Sequence, residues 1–240
     1  MNDIYRINDP AELLKNNTYP GRGLIMGTSA DGKKAAAAYF IMGRSANSRN
    51  RIFAEENGVL YTRPYDASKV SDPSLIIYAA VRQLGNRLIV TNGDQTDTVY
   101  EGLQKGLGFA EALENRTFEP DAPNFTPRIS ALGTFENGGF SYRMNILKSI
   151  DAAGSACTRQ NWEYPSVPGL GHFLHTYVCD GNPIPSFQGE PERIRIPDSA
   201  DGLAEQLWDA LNEANKISLY VRYTDIKTGE TEKRIINKNK

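Results

Sequence analysis

Pairs of strand-like segments joined by short turns constrain the fold of this chain more than any other feature. Residues 23–26 and 35–42 are largely apolar and are separated by a turn that contains Asp31-Gly32. Residues 127–135 and 140–147 flank a second turn, which also contains glycine. Glycine tolerates the positive φ angles of tight hairpin turns, so each pair is expected to form two neighbouring antiparallel strands.

The C-terminal part of the chain has the clearest periodicity. Leu203, Leu207 and Leu211 recur at the four-residue spacing of an amphipathic helix. In residues 217–224, apolar or aromatic side chains alternate with more polar ones, which predicts a strand with one buried face. The turn at 227–230 is expected to lead into a last strand.

Further elements are expected between the hairpins. Asp72-Pro73 is a helix-start signal, and the spacing of the residues that follow, including Tyr78, predicts a helix that ends at Gly85. The polar segment 92–97 precedes the helical pattern of residues 99–107, so it is expected at a helix N-terminus. Three more strands are predicted, at residues 59–62, 88–91 and 170–179. Helices that cover long antiparallel hairpins indicate an α+β layered architecture.

Composition and charge exclude several classes of protein. The chain has 240 residues and a formal net charge of −2, so no overall positive field favours nucleic acid or an anionic membrane. No stretch approaches the ~20 apolar residues of a membrane span, and the first residues lack a signal-peptide pattern. Cys157 and Cys179 lack the spacing of a disulfide framework or a zinc site. We expect one cytoplasmic domain over residues 1–240, because no low-complexity linker or repeat divides the chain.

An arginine-rich segment follows one of the apolar runs. Residues 38–42 end at Gly43, and Arg44, Arg49 and Arg51 come next among small polar residues. Guanidinium groups match the oxygen atoms of phosphate and carboxylate, so this segment predicts an anionic ligand. The alternative is that these arginines form surface ion pairs, with Glu55, Glu56 or Asp66 as partners.

The arginine segment, residues 43–51, resembles a loop of the archaeal-type IMP cyclohydrolase family. Three other segments, at residues 21–23, 89–97 and 118–129, resemble the same family in their order and approximate spacing. The resemblance covers roughly residues 20–195, and it is more specific than any one of these motifs.

The resemblance implies a fold and an activity. The fold is a four-layer αββα sandwich similar to that of the N-terminal nucleophile hydrolases, although the chain starts with Met1-Asn2 and offers no such nucleophile. The activity is closure of the formamido nucleotide FAICAR to inosine monophosphate (IMP) with loss of water, the last step in making the purine ring. The resemblance implies no metal and no cofactor, a nucleotide as the only kind of partner besides further copies of the chain, and a homo-oligomer.

The resemblance also implies roles for individual residues. Substrate binding is assigned to Arg22, Arg44, Ser45, Arg49, Asn50, Arg51, Asn92, Asp97 and Arg128, with Arg49 the first candidate phosphate ligand. Catalysis is assigned to Tyr78, Asp94, Glu119 and Asp121. The chain departs from the family pattern at Pro120, where a lysine is expected. Either another cation replaces that lysine, with Lys105 and Arg128 as the candidates, or the matching position lies one or two residues away.

Two of these assignments have a structural alternative. A tyrosine flanked by isoleucine and alanine, as Tyr78 is, often belongs to the core. Polar residues such as those in 92–97 often serve as helix caps.

His172 and His175 lie three apart in a predicted strand, where they face opposite sides and cannot share a metal.

Two other functions remain open at this point. A hydrolase of the same fold that acts on another small amide would need a nucleophile, and blocking thiols would then abolish its activity. A nucleotide-binding or RNA-contacting module would use residues 45–51 without chemistry, and it would bind polynucleotides with a steep salt dependence.

Overall fold

The structure is a computed structural model that describes residues 5–70 and 77–239. It is an α+β fold with two antiparallel sheets and few helices. The strands in chain order are β1 (Arg22–Thr28), β2 (Lys34–Met42), β3 (Arg51–Glu56), β4 (Val59–Pro64), β5 (Tyr78–Leu84), β6 (Arg87–Thr91), β7 (Arg128–Glu136), β8 (Gly139–Ser149), β9 (Cys157–Pro165), β10 (Leu170–His175), β11 (Glu192–Arg195), β12 (Lys216–Asp225) and β13 (Thr231–Asn237). The α-helices are α1 (Pro10–Lys15), α2 (Ala46–Arg49), α3 (Gln95–Gln104), α4 (Phe109–Ala112) and α5 (Ala200–Ala210).

The two sheets differ in how their strands follow the chain. The first sheet has the order β11-β10-β1-β2-β12-β13, so it joins segments from both ends of the sequence. The second sheet has the order β3-β4-β5-β6-β7-β8-β9, in which each strand pairs with the next one along the chain. This second sheet is a meander of hairpins, which short polar turns are able to connect.

In the described part of the chain, three apolar cores hold the layers together. The largest lies between the two sheets and includes Met26, Tyr39, Ala80 and Ile146. A second core packs α1 and α5 against the outer face of the first sheet. A third and smaller core packs α3 and α4 against the outer face of the second sheet.

The apolar run of β2 is explained by this layering. Tyr39 and Ile41 face the core between the sheets, whereas Phe40 and Met42 face the helices of the second core. A strand that is covered on both faces reads as a continuous apolar run and does not alternate.

The prediction that residues 217–224 form a strand is confirmed, but the prediction of one buried face is wrong. Leu219 and Val221 pack toward α5, and Tyr220 packs toward the other sheet. The alternating polar residues are therefore buried as well, because β12 lies inside the first sheet with layers on both sides.

The predicted helix that ends at Gly85 is also wrong. Residues 78–84 form β5, which pairs with β4 on one side and β6 on the other. Tyr78 and Ala80 face the core between the sheets, so pairing on both edges outweighs a helical spacing of apolar residues. The helix-start signal at residues 72–73 lies outside the described residues.

The other predicted elements are confirmed, with changes at their ends. Both hairpins form, and so do the strands at 59–62 and 88–91. The strand expected at 170–179 ends at His175, and the helix expected over 99–107 is α3, which ends at Gln104. The helix with the leucine period is α5, where burial of Leu203 and Leu207 contributes about 1.5–3 kcal/mol each.

Within residues 5–70 and 77–239, no helix is both long enough and apolar enough to cross a membrane.

Candidate active site

The antiparallel topology gathers the suspected segments at one end of the sandwich. In the first sheet Arg22 at the start of β1 pairs with Ile41 near the end of β2. In the second sheet the first residues of β3, β5 and β7 lie at the same end of the sheet. This follows because one antiparallel strand separates each of them from the next. The segments near residues 22, 51, 78 and 128 therefore meet, although they are far apart in the chain.

A cluster of five polar side chains lies between the sheets at this end. We call Arg22, Tyr39, Arg51, Tyr78 and Glu119 the buried cluster. Four of them are almost inaccessible, with exposed fractions of 0% to 6%, and Arg22 is partly buried. The side chains interact electrostatically with one another, and the hydroxyl oxygens of Tyr39 and Tyr78 are 2.8 Å apart.

The two arginines of the buried cluster carry hydrogen-bond donors without a partner. Arg51 donates from Nε to the carbonyl oxygen of Ser48 at 2.8 Å, but its Nη2 has no acceptor among the described residues. Nε of Arg22 is likewise buried without an acceptor. Buried donors on guanidinium groups are costly to leave unpaired, so these nitrogens are suited to oxygens of a bound anion.

The charges of the two arginines are not balanced within the cluster. Burial and the nearby charge of Arg22 lower the pKa of Arg51. Burial also disfavours the charged form of Arg22, but Tyr19 and Glu119 outweigh it and raise the pKa of Arg22. Two guanidinium groups thus face one carboxyl group. The cluster has an excess of positive charge, which the negative charge of a ligand would balance.

Glu119 has the titration behaviour of an acid–base group. Burial raises the pKa of Glu119 to about 7, while the charges of Arg22 and Arg128 oppose that rise. A carboxyl group that titrates near neutral pH can both accept and return a proton under ordinary conditions.

The loop that carries Glu119 is held by Asp121. The carboxylate of Asp121 accepts hydrogen bonds from the backbone nitrogen of Thr126 at 2.6 Å and from its Oγ1 at 2.5 Å. Oγ1 of Thr126 also lies 2.6 Å from the hydroxyl oxygen of Tyr177, and the backbone nitrogen of Glu119 donates to the carbonyl of Thr126. These contacts favour a role for Asp121 in shaping the loop.

Asp94 and Arg128 form a second charged group beside the buried cluster. Oδ1 of Asp94 accepts from Nη1 of Arg128 at 2.6 Å and from Nη2 of Arg116 at 2.5 Å. Partial burial alone would raise the pKa of Asp94, but the bond from Arg116 and the charge of Arg128 lower it below the ordinary value. Asp94 is thus a carboxylate that orients Arg128, and its side chain makes no cap bond to α3 although it stands at the N-cap position.

Of the two cations expected to replace a lysine at Pro120, the structure brings one to Glu119. Arg128 is 7% exposed and acts electrostatically on Glu119. Lys105 follows the last residue of α3 and is exposed.

Asn92 and Asp97 are engaged by other parts of the protein. Oδ1 of Asn92 accepts from the backbone nitrogen of Ile129 at 2.8 Å and from Nε2 of Gln95 at 2.9 Å, and its Nδ2 donates to the carbonyl of Pro127. Asn92 thereby joins the end of β6 to the start of β7. Asp97 accepts from Nη1 of Arg82 at 2.5 Å on the surface.

The remaining residues of the arginine segment are engaged within the protein and lie near the surface. Arg44 pairs with Asp180 at 2.5 Å and lies over the ring of Tyr19. Nε of Arg49 donates to the carbonyl of Gly43 at 3.1 Å, and its Nη2 donates to Oδ1 of Asn215 at 3.3 Å.

Ser45 and Asn50 shape the same segment. Oγ of Ser45 caps the short helix α2 by accepting from the backbone nitrogen of Ser48. Asn50 exchanges two hydrogen bonds with the backbone of Asp66, each 2.8 Å long. Ligand contacts by Arg44, Ser45, Arg49 and Asn50 stay predictions.

The alternative interpretation of the arginines named the wrong partners. Glu55 pairs with Lys233, Glu56 pairs with Arg63, and Asp66 pairs with Lys69. In residues 43–51 the arginine that forms an ion pair is Arg44, whose Nη1 lies 2.5 Å from Oδ1 of Asp180. Asp180 lies more than a hundred residues away, so its proximity comes from the fold.

The two histidines face opposite sides, as the predicted strand requires. Nδ1 of His172 lies 2.7 Å from the hydroxyl oxygen of Tyr142, and its ring stacks on Tyr164 between the sheets. His175 packs between Phe173 and Phe187 on the other face of β10. Among the described residues there is no group of His, Cys, Asp and Glu side chains that could hold a metal ion.

The sequence interpretation missed Tyr39. It stands inside the apolar run of β2, where a tyrosine is easily taken as one more core residue. Its hydroxyl is the only polar side-chain atom in residues 38–42, and that was the available signal, because a buried hydroxyl needs a partner.

A family model and individual relatives match most of this chain. The family model described as IMP cyclohydrolase-like protein matches residues 19–230. The chain is 32% identical to an IMP cyclohydrolase of Methanopyrus kandleri over 184 residues, which are 71% of this chain and 89% of that protein. It is 28% identical to an IMP cyclohydrolase of Methanococcus aeolicus over 67% of this chain and 75% of that protein. An IMP cyclohydrolase of Methanocaldococcus jannaschii is 30% identical over 48% of this chain and 56% of that protein.

Proposed function

The chain belongs to the IMP cyclohydrolase-like family, and from this membership we propose that it is an enzyme that closes FAICAR to IMP with release of water. FAICAR is 5-formamidoimidazole-4-carboxamide ribonucleotide. The observation in the structure that carries the proposal is the buried cluster, where unpaired guanidinium donors lie beside an acid–base carboxyl group and a tyrosine hydroxyl.

The reaction has three chemical requirements. The carboxamide nitrogen attacks the formyl carbon, and a base must remove a proton from that weakly acidic nitrogen. The formyl oxygen gains negative charge as the new bond forms, so donors must stabilise it. The carbinol that results then loses its hydroxyl group as water, which requires a proton donor.

We assign the proton transfers to Glu119. Its carboxylate form accepts the proton from the carboxamide nitrogen and returns it to the formyl oxygen, which gives the carbinol. In the elimination the former formamide nitrogen loses its proton as the C=N bond forms, and Glu119 carries that second proton to the hydroxyl group, which leaves as water. A pKa of about 7 suits both steps, because Glu119 is then available near neutral pH both as a base and as an acid. The guanidinium groups of Arg22 and Arg128 favour the carboxylate form of Glu119.

We assign stabilisation of the formyl oxygen to Tyr78 and Arg22. Tyr78 is at the end of the sandwich that holds Glu119, and the guanidinium of Arg22 acts on both residues. The charges of Arg51 and Arg22 also oppose the rise in the pKa of Tyr78 that burial causes. Preformed donors in a water-excluded site stabilise a developing oxyanion without reorganising at the moment of reaction.

Arg51 is the proposed anchor for the anionic end of the substrate. Its charge acts on Glu119 less than the charges of Arg22 and Arg128 do, and its Nη2 lacks an acceptor. Further contacts from Arg44, Ser45, Arg49 and Asn50 are part of the same proposal, since these residues lie in the segment just before Arg51. The family resemblance is the ground for proposing substrate contacts at Asn92, Asp97 and Arg128. It is also the ground for proposing Asp94 and Asp121 as catalytic residues.

The proposal extends to the fold. Helices on the outer faces of two packed antiparallel sheets fit the four-layer αββα arrangement of the N-terminal nucleophile hydrolases. The core that both sheets share supports a single domain over residues 1–240. Family resemblance is also the ground for proposing a homo-oligomer and an enzyme that works without a metal or folate.

The test is conversion of FAICAR by the purified protein, with chelator present and without folate, followed by chromatography of IMP. We expect conversion well above the rate without protein. A folded sample that binds FAICAR but leaves it unchanged would refute the assignment of the chemistry, and a sample that does not bind it would refute the substrate. Loss of activity after thiol blocking would favour an amidase, because Cys157 and Cys179 are free and neither is in the buried cluster.

A further inference from the structure

The hydrogen bond between Tyr39 and Tyr78 joins the two sheets inside the buried cluster. Tyr39 lies in the middle of β2, between β1 and β12 of the first sheet. Tyr78 is the first residue of β5 in the second sheet. Their hydroxyl oxygens are 2.8 Å apart, and either hydroxyl could donate on distance alone.

The surroundings of Tyr39 decide which hydroxyl donates. The side chain is 0% exposed, and among the described residues Tyr78 is the only hydrogen-bond partner of its hydroxyl. If Tyr78 donated to Tyr39, the proton of Tyr39 would be buried without an acceptor, which costs about 1–3 kcal/mol. The proton of Tyr39 therefore points to the hydroxyl oxygen of Tyr78.

The charges nearby act in the same direction. Burial raises the pKa of Tyr39 well above its ordinary value, and the proximity of Tyr78 raises it further. Burial also raises the pKa of Tyr78, but the charges of Arg51 and Arg22 and the bond from Tyr39 oppose that rise. Tyr39 thus keeps its proton more firmly than Tyr78 does.

We propose that Tyr39 is a positioning residue whose hydroxyl donates to Tyr78 and so leaves the proton of Tyr78 free to donate to a substrate oxygen. This inference rests on the proposed function for its readout in turnover, but the direction of the hydrogen bond does not depend on it. The backbone of Tyr78 is fixed separately, because its nitrogen donates to Oγ1 of Thr62 at 3.1 Å. Tyr39 fixes the remaining freedom, which is the rotation of the hydroxyl group of Tyr78.

The first experiment compares Tyr39→Phe, Tyr78→Phe and the double variant in turnover of FAICAR. We expect Tyr39→Phe to lower kcat about tenfold, the effect of one hydrogen bond, while KM changes less than twofold. The double variant should be no slower than Tyr78→Phe, because Tyr39 acts through the hydroxyl that is already missing. Unchanged kcat in Tyr39→Phe, or full multiplication of the two losses, would overturn the inference.

The matched control is Tyr223→Phe. Tyr223 is also a buried tyrosine, and its hydroxyl donates to the carbonyl of Pro197 at 2.7 Å on the helix-covered face of the first sheet. Removing this hydroxyl costs a buried hydrogen bond without touching the buried cluster. We expect Tyr223→Phe to lower Tm as much as Tyr39→Phe does, with kcat unchanged, and an equal fall in kcat in both variants would point to a general loss of stability.

A second experiment is independent of turnover. Tyr78 is replaced by a difluorinated tyrosine, whose phenol ionises at lower pH than tyrosine, and its ionisation is followed by absorbance with and without the hydroxyl of Tyr39. We expect Tyr39→Phe to raise the pKa of the residue at position 78, because the donated bond stabilises the phenolate. If wild type fails to convert FAICAR but this pKa rises, the proposed function fails and the hydrogen-bond direction stands. An unchanged or lowered pKa overturns the inference.

Discussion

Two sets of arginines lie at the same end of the molecule and differ in what their guanidinium groups contact. Arg44 and Arg49 are near the surface, and both donate to oxygens of the protein itself. Arg22 and Arg51 reach the space between the sheets, and each has a buried nitrogen without an acceptor. The first set is held by oxygens of the protein at an exposed surface, whereas the second set has buried donors that are suited to a ligand.

The difference shows what decides whether an arginine binds a ligand. Three of these four residues fall within eight positions of one another in the sequence. Arg49 ends the short helix α2, whereas Arg51 starts β3 and has the inward direction of Phe53 two residues later. A shift of two positions thus separates an exposed side chain at the end of α2 from one that is 1% exposed.

The largest expected effect comes from Glu119, the carboxyl group that faces the buried arginines. Glu119→Gln should lower kcat about a thousandfold, because it removes the group that carries the proton in both steps. Steady-state assays with FAICAR measure this effect. Glu56→Gln, which alters an exposed carboxylate paired with Arg63, should leave kcat unchanged. Activity in Glu119→Gln within tenfold of wild type would remove Glu119 from the chemistry.

Arg51→Met tests whether the arginines with buried, unpaired donors bind the substrate. We expect KM for FAICAR to rise about 10- to 100-fold, since charge-assisted hydrogen bonds to the substrate contribute about 1.5–3 kcal/mol. The free energy of unfolding without ligand should stay equal or rise by about 1 kcal/mol, because an unpaired buried charge beside Arg22 is replaced by an apolar side chain. Arg63→Met is the control at an exposed ion pair. A fall in stability together with an unchanged KM would show that Arg51 is structural.

The pH dependence of kcat tests whether Glu119 must be ionised. We expect kcat to rise with pH up to about 7, the pKa to which burial raises this carboxyl group, and then to level off. Below that pH kcat should fall about tenfold per pH unit, because only the carboxylate form accepts the proton. A profile that falls as pH rises through 7 would make Glu119 the acid of the first step instead.

Stability gives a second view of the same group. A carboxyl group whose pKa is raised by folding binds more protons in the folded chain, so its contribution to stability is present below the unfolded pKa of 4.5 and is lost as pH rises through about 7. Wild type should therefore lose ~3 kcal/mol relative to Glu119→Gln over this range. Urea unfolding of both proteins at several pH values measures the difference, and two parallel curves would contradict the raised pKa.

The smallest effect is expected from Arg49→Ala. The sequence favours Arg49 as the phosphate ligand, whereas its contacts with Gly43 and Asn215 favour a role in holding the loop. We expect KM for FAICAR to change less than about threefold and stability to fall by about 0.5–1.5 kcal/mol, the usual value of a hydrogen bond. A rise in KM as large as that of Arg51→Met would restore the sequence interpretation and would weaken the distinction between the two sets.

Much of the fold follows from local patterns that the chain displays. Tight turns with glycine locate the hairpins, and the leucine period locates α5. The error at β5 has a definite cause, because Tyr78 and the residues after it fit a helix when only their spacing is considered. Pairing with β4 and β6 decides their conformation. The sequence of the segment itself does not show that these two strands will pair with it.

The sequence by itself determined the family, the segments that matter, and the candidate status of Tyr78, Glu119, Arg22 and Arg51, because these depend on residue types in order along the chain. Tertiary structure alone decided that Arg22 and Arg51 each have a buried nitrogen without an acceptor, and that Arg44 and Arg49 are engaged at the surface. It also decided that burial raises the pKa of Glu119 and that Tyr39 joins Tyr78. The physical reason is that burial, desolvation and hydrogen-bond partners depend on antiparallel pairing between distant strands. This pairing brings together side chains that are far apart in the sequence, and a local sequence pattern does not predict which ones meet.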